Sequence, residues 1–293
     1  ANVTGAIDGY GGSYGTLNIN GTWGSAGTIG NTTSSLAAIS LDNNATTTGH
    51  TYTFGHNVNA TTINLGHSSS NANATLETKA AFNINIDGNI VGSTNSTSAD
   101  NAAGGRFYVR GNATVNGNIG TYSGRLADIR IEDGGTLTIK GADRNIYANN
   151  ITLMTAYGSS GSDNSTLAFN GTGTTTVYGV IAGGNAMGQG MIDINTGTVS
   201  FESDVGMLSN YISNINVASG SNMTTSSNIY ANETIVVLGK LNIDATGGIT
   251  ISVNDAENAG YGLQIGDRSS SVNASLETAG TITLTSNKIT ARD

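Results

Sequence analysis

The sequence predicts an all-β fold, an elongated right-handed parallel β-solenoid. Three observations carry the prediction: short alternating apolar runs, a complete lack of proline, and an internal repeat of about 90 residues. Charged residues make up only 11% of the chain, against roughly 25% in ordinary soluble domains, and glycine supplies 42 of the 293 residues. The surface must therefore be built from Ser, Thr, Asn and Gly. Disordered chains of similar polarity are rich in Pro, Lys and Glu and poor in β-branched residues, and here the reverse holds.

Thr16 to Asn20, Phe82 to Ile86 and Ile249 to Val253 alternate apolar and polar residues, as strands with one buried face do. In a solenoid each strand has a neighbour above and below, so the ladders use every backbone N–H. Proline has none to give, which accounts for its absence. Gly, Asn and Asp between the runs supply the conformations that sharp corners demand, and helix is expected to be nearly absent.

The repeat is read directly. Gly15-Thr16-Leu17-Asn18-Ile19-Asn20-Gly21 returns as Gly105-Arg106-Phe107-Tyr108-Val109-Arg110-Gly111, and Leu36 to Leu41 returns as Leu126 to Ile131, both at an offset of 90. Asn145-Ile146-Tyr147-Ala148-Asn149 recurs unchanged as Asn228-Ile229-Tyr230-Ala231-Asn232. Ser-rich stretches leading to Leu76-Glu77-Thr78 and to Leu276-Glu277-Thr278 mark the later part of a unit, with a looser form at Leu167. This divides a single array into units of approximately 1–88, 89–176 and 177–293, with an extra coil near 238–261. Each coil is expected to take roughly 20 residues, with a body on the order of 70 Å long. The inward rows are expected to hold Leu17, Ile19, Ile39, Leu41, Phe107, Val109, Ile129, Ile131, Ile192 and Ile194.

Composition also excludes function classes. With no cysteine there is no disulfide framework and no thiolate site. The longest aliphatic run, Ile235 to Leu238, is too short to span a bilayer as a helix. A net charge of −9 with 11 Lys and Arg scattered singly argues against a nucleic-acid or anionic-membrane surface.

Val3-Thr4-Gly5-Ala6-Ile7-Asp8, the Gly-x-Leu-Asn-Ile-Asn-Gly core, and Gly27-x-Ile29-Gly30-Asn31 to Leu36-Ala37-x-Ile39 together resemble the passenger repeats of the rickettsial outer-membrane surface antigens. The resemblance extends through all three units. It implies an autotransporter adhesin: a β-solenoid passenger exported across the outer membrane and displayed for attachment or as a coat.

Candidate chemistry is sparse. A β-helix enzyme acting on polysaccharides needs clustered carboxylates, and the one adjacent acidic pair, Glu132-Asp133, reads as a solvated turn. His50, His56 and His67 read as turn residues, and form a metal site only if successive coils stack them. Gly9 to Gly15 looks like a phosphate loop, but no helix signal follows it. Asp255-Ala256-Glu257-Asn258 is a loose acidic turn open to weak calcium binding. Asn2, Asn31, Asn59, Asn73, Asn112, Asn164 and Asn273 open glycosylation-type triplets that composition alone would produce. Trp23, Tyr10, Tyr14, Tyr122 and Tyr157 suit either exposed contacts or inward packing.

No catalytic, cofactor or metal site is assigned. The expected role is a secreted structural or adhesive protein of the bacterial cell surface, not an enzyme. The alternatives are a homopolymeric filament or surface-layer subunit and, last, a polysaccharide-acting enzyme. Expected partners are a host or neighbouring cell surface, or copies of the chain itself docked end to end. The latter is suggested by strand patterns that begin at Val3 and continue to Thr285, leaving little sequence for polar caps.

Overall fold

The computed structural model describes residues 2–42, 50–66, 74–93, 104–132, 134–154, 165–184, 188–253, 262–266, 274–278, 280–286 and 289–291. Among them there is no helix; every element is a strand. The chain forms two compact units. One comprises Ala1–Lys140 with Asn145–Asn150, the other Gly141–Arg144 with Ile151–Asp293.

The first unit runs through β1 (Asn2–Val3), β2 (Thr16–Ile19), β3 (Trp23–Ser25), β4 (Leu36–Leu41), β5 (Thr51–Phe54), β6 (Val58–Leu65), β7 (Thr75–Thr78), β8 (Asn83–Gly92), β9 (Arg106–Val109), β10 (Asn112–Val115), β11 (Leu126–Ile131) and β12 (Thr136–Ile139). Odd strands pair in one parallel sheet, β1-β3-β5-β7-β9-β11, and even strands in another, β2-β4-β6-β8-β10-β12. Strand β13 (Arg144–Leu153) belongs partly to each unit. The second unit continues with β14 (Thr166–Phe169), β15 (Thr174–Gly183), β16 (Met191–Ile194), β17 (Thr198–Phe201), β18 (Ile212–Val217), β19 (Asn222–Thr225), β20 (Ile229–Val237), β21 (Lys240–Ile243), β22 (Ile249–Val253), β23 (Leu263–Ile265), β24 (Ser275–Thr278), β25 (Ile282–Ser286) and β26 (Ile289–Ala291). It pairs in the same alternating manner, β15-β17-β19-β21-β24 and β14-β16-β18-β20-β22-β25. This is a parallel β-solenoid.

Long strands such as β6 and β8 turn a corner, so each coil of the first unit has three faces, and inward rows run from coil to coil along each. One row is Trp23–Tyr52–Leu76–Phe107–Ile129. The second is Ile7–Ile29–Val58–Ile86–Val115–Ile139. The third is Leu17–Ile39–Ile63–Ile90–Ile119–Ile146. Nine of the ten residues expected inside are buried. Leu17 is half-buried, because β2 pairs only with β4 and is covered on one side. Coils are longer than expected: they take 22 residues from Arg106 to Asp128 and 31 from Thr75 to Arg106. The connections between strands carry the excess.

These rows place the sequence repeat in three dimensions. Leu17 and Ile90 share a row three coils apart, yet Phe107, the counterpart of Leu17, stands one face further on, in the row of Tyr52 and Leu76. Ile29 and its counterpart Ile119 are displaced in the same sense. One sequence unit therefore spans three coils and one further face, so equivalent residues emerge from different faces of the unit.

The Asn-Ile-Tyr-Ala-Asn marker has a matching cause. Ile146 pairs with Ile119, and the Tyr147 N–H donates to the Ile119 carbonyl at 2.7 Å; Ile229 and Tyr230 repeat this against Val205 at 2.7 Å. The carbonyls of Tyr147 and Tyr230 close over Gly120 and Gly206, which have φ of 74° and 80° and leave no room for a Cβ. Asparagine also serves the corners. The Asn118 N–H donates to Asn89 Oδ1 and the Asn145 N–H to Asn118 Oδ1, both at 2.9 Å, satisfying backbone donors that no strand partner meets. Within 238–261, β21 pairs with β19 and β22 with the first part of β20; β23, beyond that segment, pairs with the last part of β20.

Candidate interaction face

Inward positions are filled mainly by apolar side chains, so contact chemistry belongs to the outward ones. On the odd sheet of the first unit the register stacks those positions into columns. Thr51, Thr75, Arg106 and Asp128 form one, and Gly24, Thr53, Glu77, Tyr108 and Arg130 the next. Gly55, Lys79, Arg110 and Glu132 follow directly at the strand ends.

Over β7, β9 and β11 this brings together charges drawn from three coils. Arg110 Nη2 donates to Glu77 Oε1 at 2.9 Å, and its Nε lies 3.6 Å from Glu132 Oε2. Arg130 Nη2 is 3.4 Å from Asp128 Oδ2, and its guanidinium sits 4.7 Å above the Tyr108 ring. Opposite charges alternate along β11 and its end, Asp128, Arg130 and Glu132, and face each other across the strands. Each exposed pair contributes well under about 1 kcal/mol to stability. Their joint effect is to hold arginine and tyrosine, the residue types that dominate binding energetics, in defined positions on the sheet.

A groove of about 380 Å³ lies on the same sheet, nearer the first strands. Thr4, Thr22, Thr53 and Lys79 are among the residues lining it, together with Gly24, which is outward-facing and has no side chain. The Lys79 ammonium rests 4.7 Å from the Phe82 ring centroid and makes no ion pair among the described residues.

The sequence candidates are dispersed. His50 and His56 are engaged separately. His50 Nδ1 lies 2.6 Å from Asp42 Oδ1 and its backbone N–H donates to Asp42 Oδ2 at 2.9 Å. The His56 ring meets Phe82 edge-on at 5.9 Å. His67 lies outside the described residues, as do Asp133, Tyr157, the acidic turn at 255–258, and Asn73, Asn164 and Asn273. Among the described residues no cluster of three or more His, Asp or Glu is arranged to hold a metal.

Asp42 is buried at φ 54° and also accepts the Tyr52 hydroxyl at 2.7 Å. Burial first, and then that hydrogen bond, raise the Tyr52 pKa well above the ordinary phenol value. The arrangement is a tie between strands: it satisfies a buried carboxylate with donors from β5 and from the residue before it.

Glu132 belongs to the charged array, beside Arg110. Gly9 to Gly15 leads into β2, and the N–H groups of Gly9 and Gly12 donate to Ser34 and Thr33 carbonyls at 3.1 and 3.3 Å. Of the triplet asparagines, Asn31, Asn59 and Asn112 hydrogen-bond to Asp8, Asp87 and Asn83 on neighbouring coils. Trp23 packs inward, edge-on to Phe54 at 6.2 Å. Tyr10, Tyr14 and Tyr122 point out, at 92%, 65% and 79% exposure.

The charged array is what sequence reasoning missed. Read linearly its cations look isolated, and only the coil lengths bring Glu77, Arg110 and Glu132 side by side. No family model matches the chain, and neither a curated protein nor a solved structure matches it.

Proposed function

We propose that this protein is a structural and adhesive β-solenoid, secreted and displayed on the bacterial cell surface in the manner of an autotransporter passenger, and that its work is contact rather than turnover. The observation that carries the reading is the outward face of β7, β9 and β11, where Arg110 is held by Glu77 and Glu132, and Arg130 by Asp128 and the Tyr108 ring. A side chain fixed before binding loses little entropy on contact, so a pre-ordered face binds more tightly than a mobile one of equal area. Outward Asn, Ser and Thr elsewhere keep the remaining surface soluble with few charges.

The test is attachment of beads coated with purified protein to cultured cells, with Tyr108→Ala/Arg130→Ala as the variant. Tenfold weaker attachment with an unchanged circular dichroism spectrum is the expected result. Equal attachment by protein and variant, or none by either, would overturn the proposal.

A further inference from the structure

We propose that the groove over Gly24 is a binding site for a carboxylated sugar, one uronate-type pyranose residue of an acidic polysaccharide. The ring would lie on the Gly24 backbone between Thr22 and Thr53, with its carboxylate at Lys79 Nζ. This names a ligand class for the contact function proposed above and rests on that reading.

Size comes first. About 380 Å³ falls within the range of small-molecule sites, roughly 300 to 1,000 Å³. Shape follows from sequence: strands normally carry β-branched residues at outward positions, and Gly24 leaves a gap beside Thr53, with which it is in register. Ala26 and Gly55, at neighbouring strand ends, are also small.

The lining then selects the chemistry. Thr4, Thr22 and Thr53 carry hydroxyls, groups that meet the hydroxyl edges of a sugar. The single cation at the groove is Lys79, exposed and without an ion-pair partner among the described residues. Arg110, the next cation in its column, is already held by Glu77 and Glu132. One ammonium suits one carboxylate. A phosphate or sulfate of higher charge calls for a forked guanidinium, and no arginine is among the residues lining this groove.

Calorimetry on the full chain tests the assignment with three probes: a glucuronate-containing disaccharide, the corresponding glucose disaccharide, and acetate. The glucuronate disaccharide should bind at least tenfold more tightly than either of the others. Lys79→Gln should remove that tenfold preference, Gly24→Thr should abolish saccharide binding by filling the groove, and Lys240→Gln in the second unit should change nothing. Circular dichroism of each variant checks the fold. Equal binding of the charged and neutral disaccharides, acetate binding as tight as the glucuronate, or a preference surviving Lys79→Gln would overturn the assignment. The two proposals fail separately. Cell attachment without uronate binding sinks only the groove, whereas uronate binding without attachment sinks only the contact function.

Discussion

Gly206 and Gly220 offer a controlled measurement of what holds one coil against the next. Both lie in the second unit and have nearly the same backbone, φ of 80° and 76°. Alanine at either position costs about 1–2 kcal/mol for adopting a left-handed conformation. Their surroundings differ. A Cβ at Gly220 meets nothing within 4 Å, whereas one at Gly206 falls well inside van der Waals contact with the Tyr230 carbonyl oxygen. Making room there pushes the 228–232 strand away and strains the 2.7 Å bond from the Tyr230 N–H to the Val205 carbonyl and the 2.9 Å bond from the Val205 N–H to the Asn228 carbonyl. Losing buried ladder bonds costs about 1–3 kcal/mol each when the groups are left unpaired. Gly206→Ala should therefore destabilise by about 3–5 kcal/mol and Gly220→Ala by about 1–2 kcal/mol, as read from urea unfolding followed by circular dichroism. Equal losses for the two variants would refute the close-approach explanation, and with it the account of the repeated Asn-Ile-Tyr-Ala-Asn marker.

Phe107→Ala empties a fully buried site in a stacked row and should cost about 3–5 kcal/mol, while Leu17→Ala, at a half-buried position of the first strand in its sheet, should cost clearly less; parallel urea titrations compare them. Tyr52 binds its proton more tightly folded than unfolded. Its stabilising contribution is therefore complete below the ordinary phenol pKa of about 10 and is lost as pH rises above it. Thermal unfolding between pH 8 and 11 should show a steeper alkaline decline for the parent protein than for Tyr52→Phe, which should itself be less stable at neutral pH because Asp42 loses a donor. Asn118→Ala leaves the Asn145 N–H without its acceptor and should cost about 1 kcal/mol, a loss that Asn118→Asp, which retains the oxygen, should largely avoid.

The fold was legible because solenoid rules act at the scale of one strand. Alternation in Phe107-Tyr108-Val109 or Ile129-Arg130-Ile131 fixes which side chains go inside, whatever the neighbouring coil is. Lack of proline reports that backbone donors are used, again strand by strand. What pairs with what depends instead on coil length, and here that varies between 22 and 31 residues within a single sheet. No local pattern shows that Arg110 lies between Glu77 and Glu132, or that Gly24 stands beside Thr53. The exposure of Tyr10 and the burial of Trp23 were equally out of reach, since both sit among glycines and only the packing of Phe54 against the indole separates them.

The offset between repeat and coil explains why the charged array occurs where it does. A unit of three coils and one face preserves inward alternation under duplication, because every face has the same apolar requirement. It carries each outward residue to a different face. Arg106, Tyr108, Arg110, Asp128, Arg130 and Glu132 correspond at the 90-residue offset to Thr16, Asn18, Asn20, Ala38, Ser40 and Asp42. The earlier set belongs to the even sheet, whose register places Thr16 beside Ala38 and Asn18 beside Ser40. Its outward residues are neutral and only Asp42, turned inward to Tyr52, is charged. Core and contact surface are thus decoupled: the first is common to all faces, while the second diverges on one. Substituting Asn18→Tyr and Ser40→Arg in the earlier copy should consequently reproduce the Tyr108–Arg130 stack, since the register is the same. Exposed outward substitutions of this kind should shift stability by no more than about 0.5 kcal/mol. A larger loss in urea unfolding would mean that the outward faces are constrained by packing, and that the array on β9 and β11 owes its residues to stability rather than to contact.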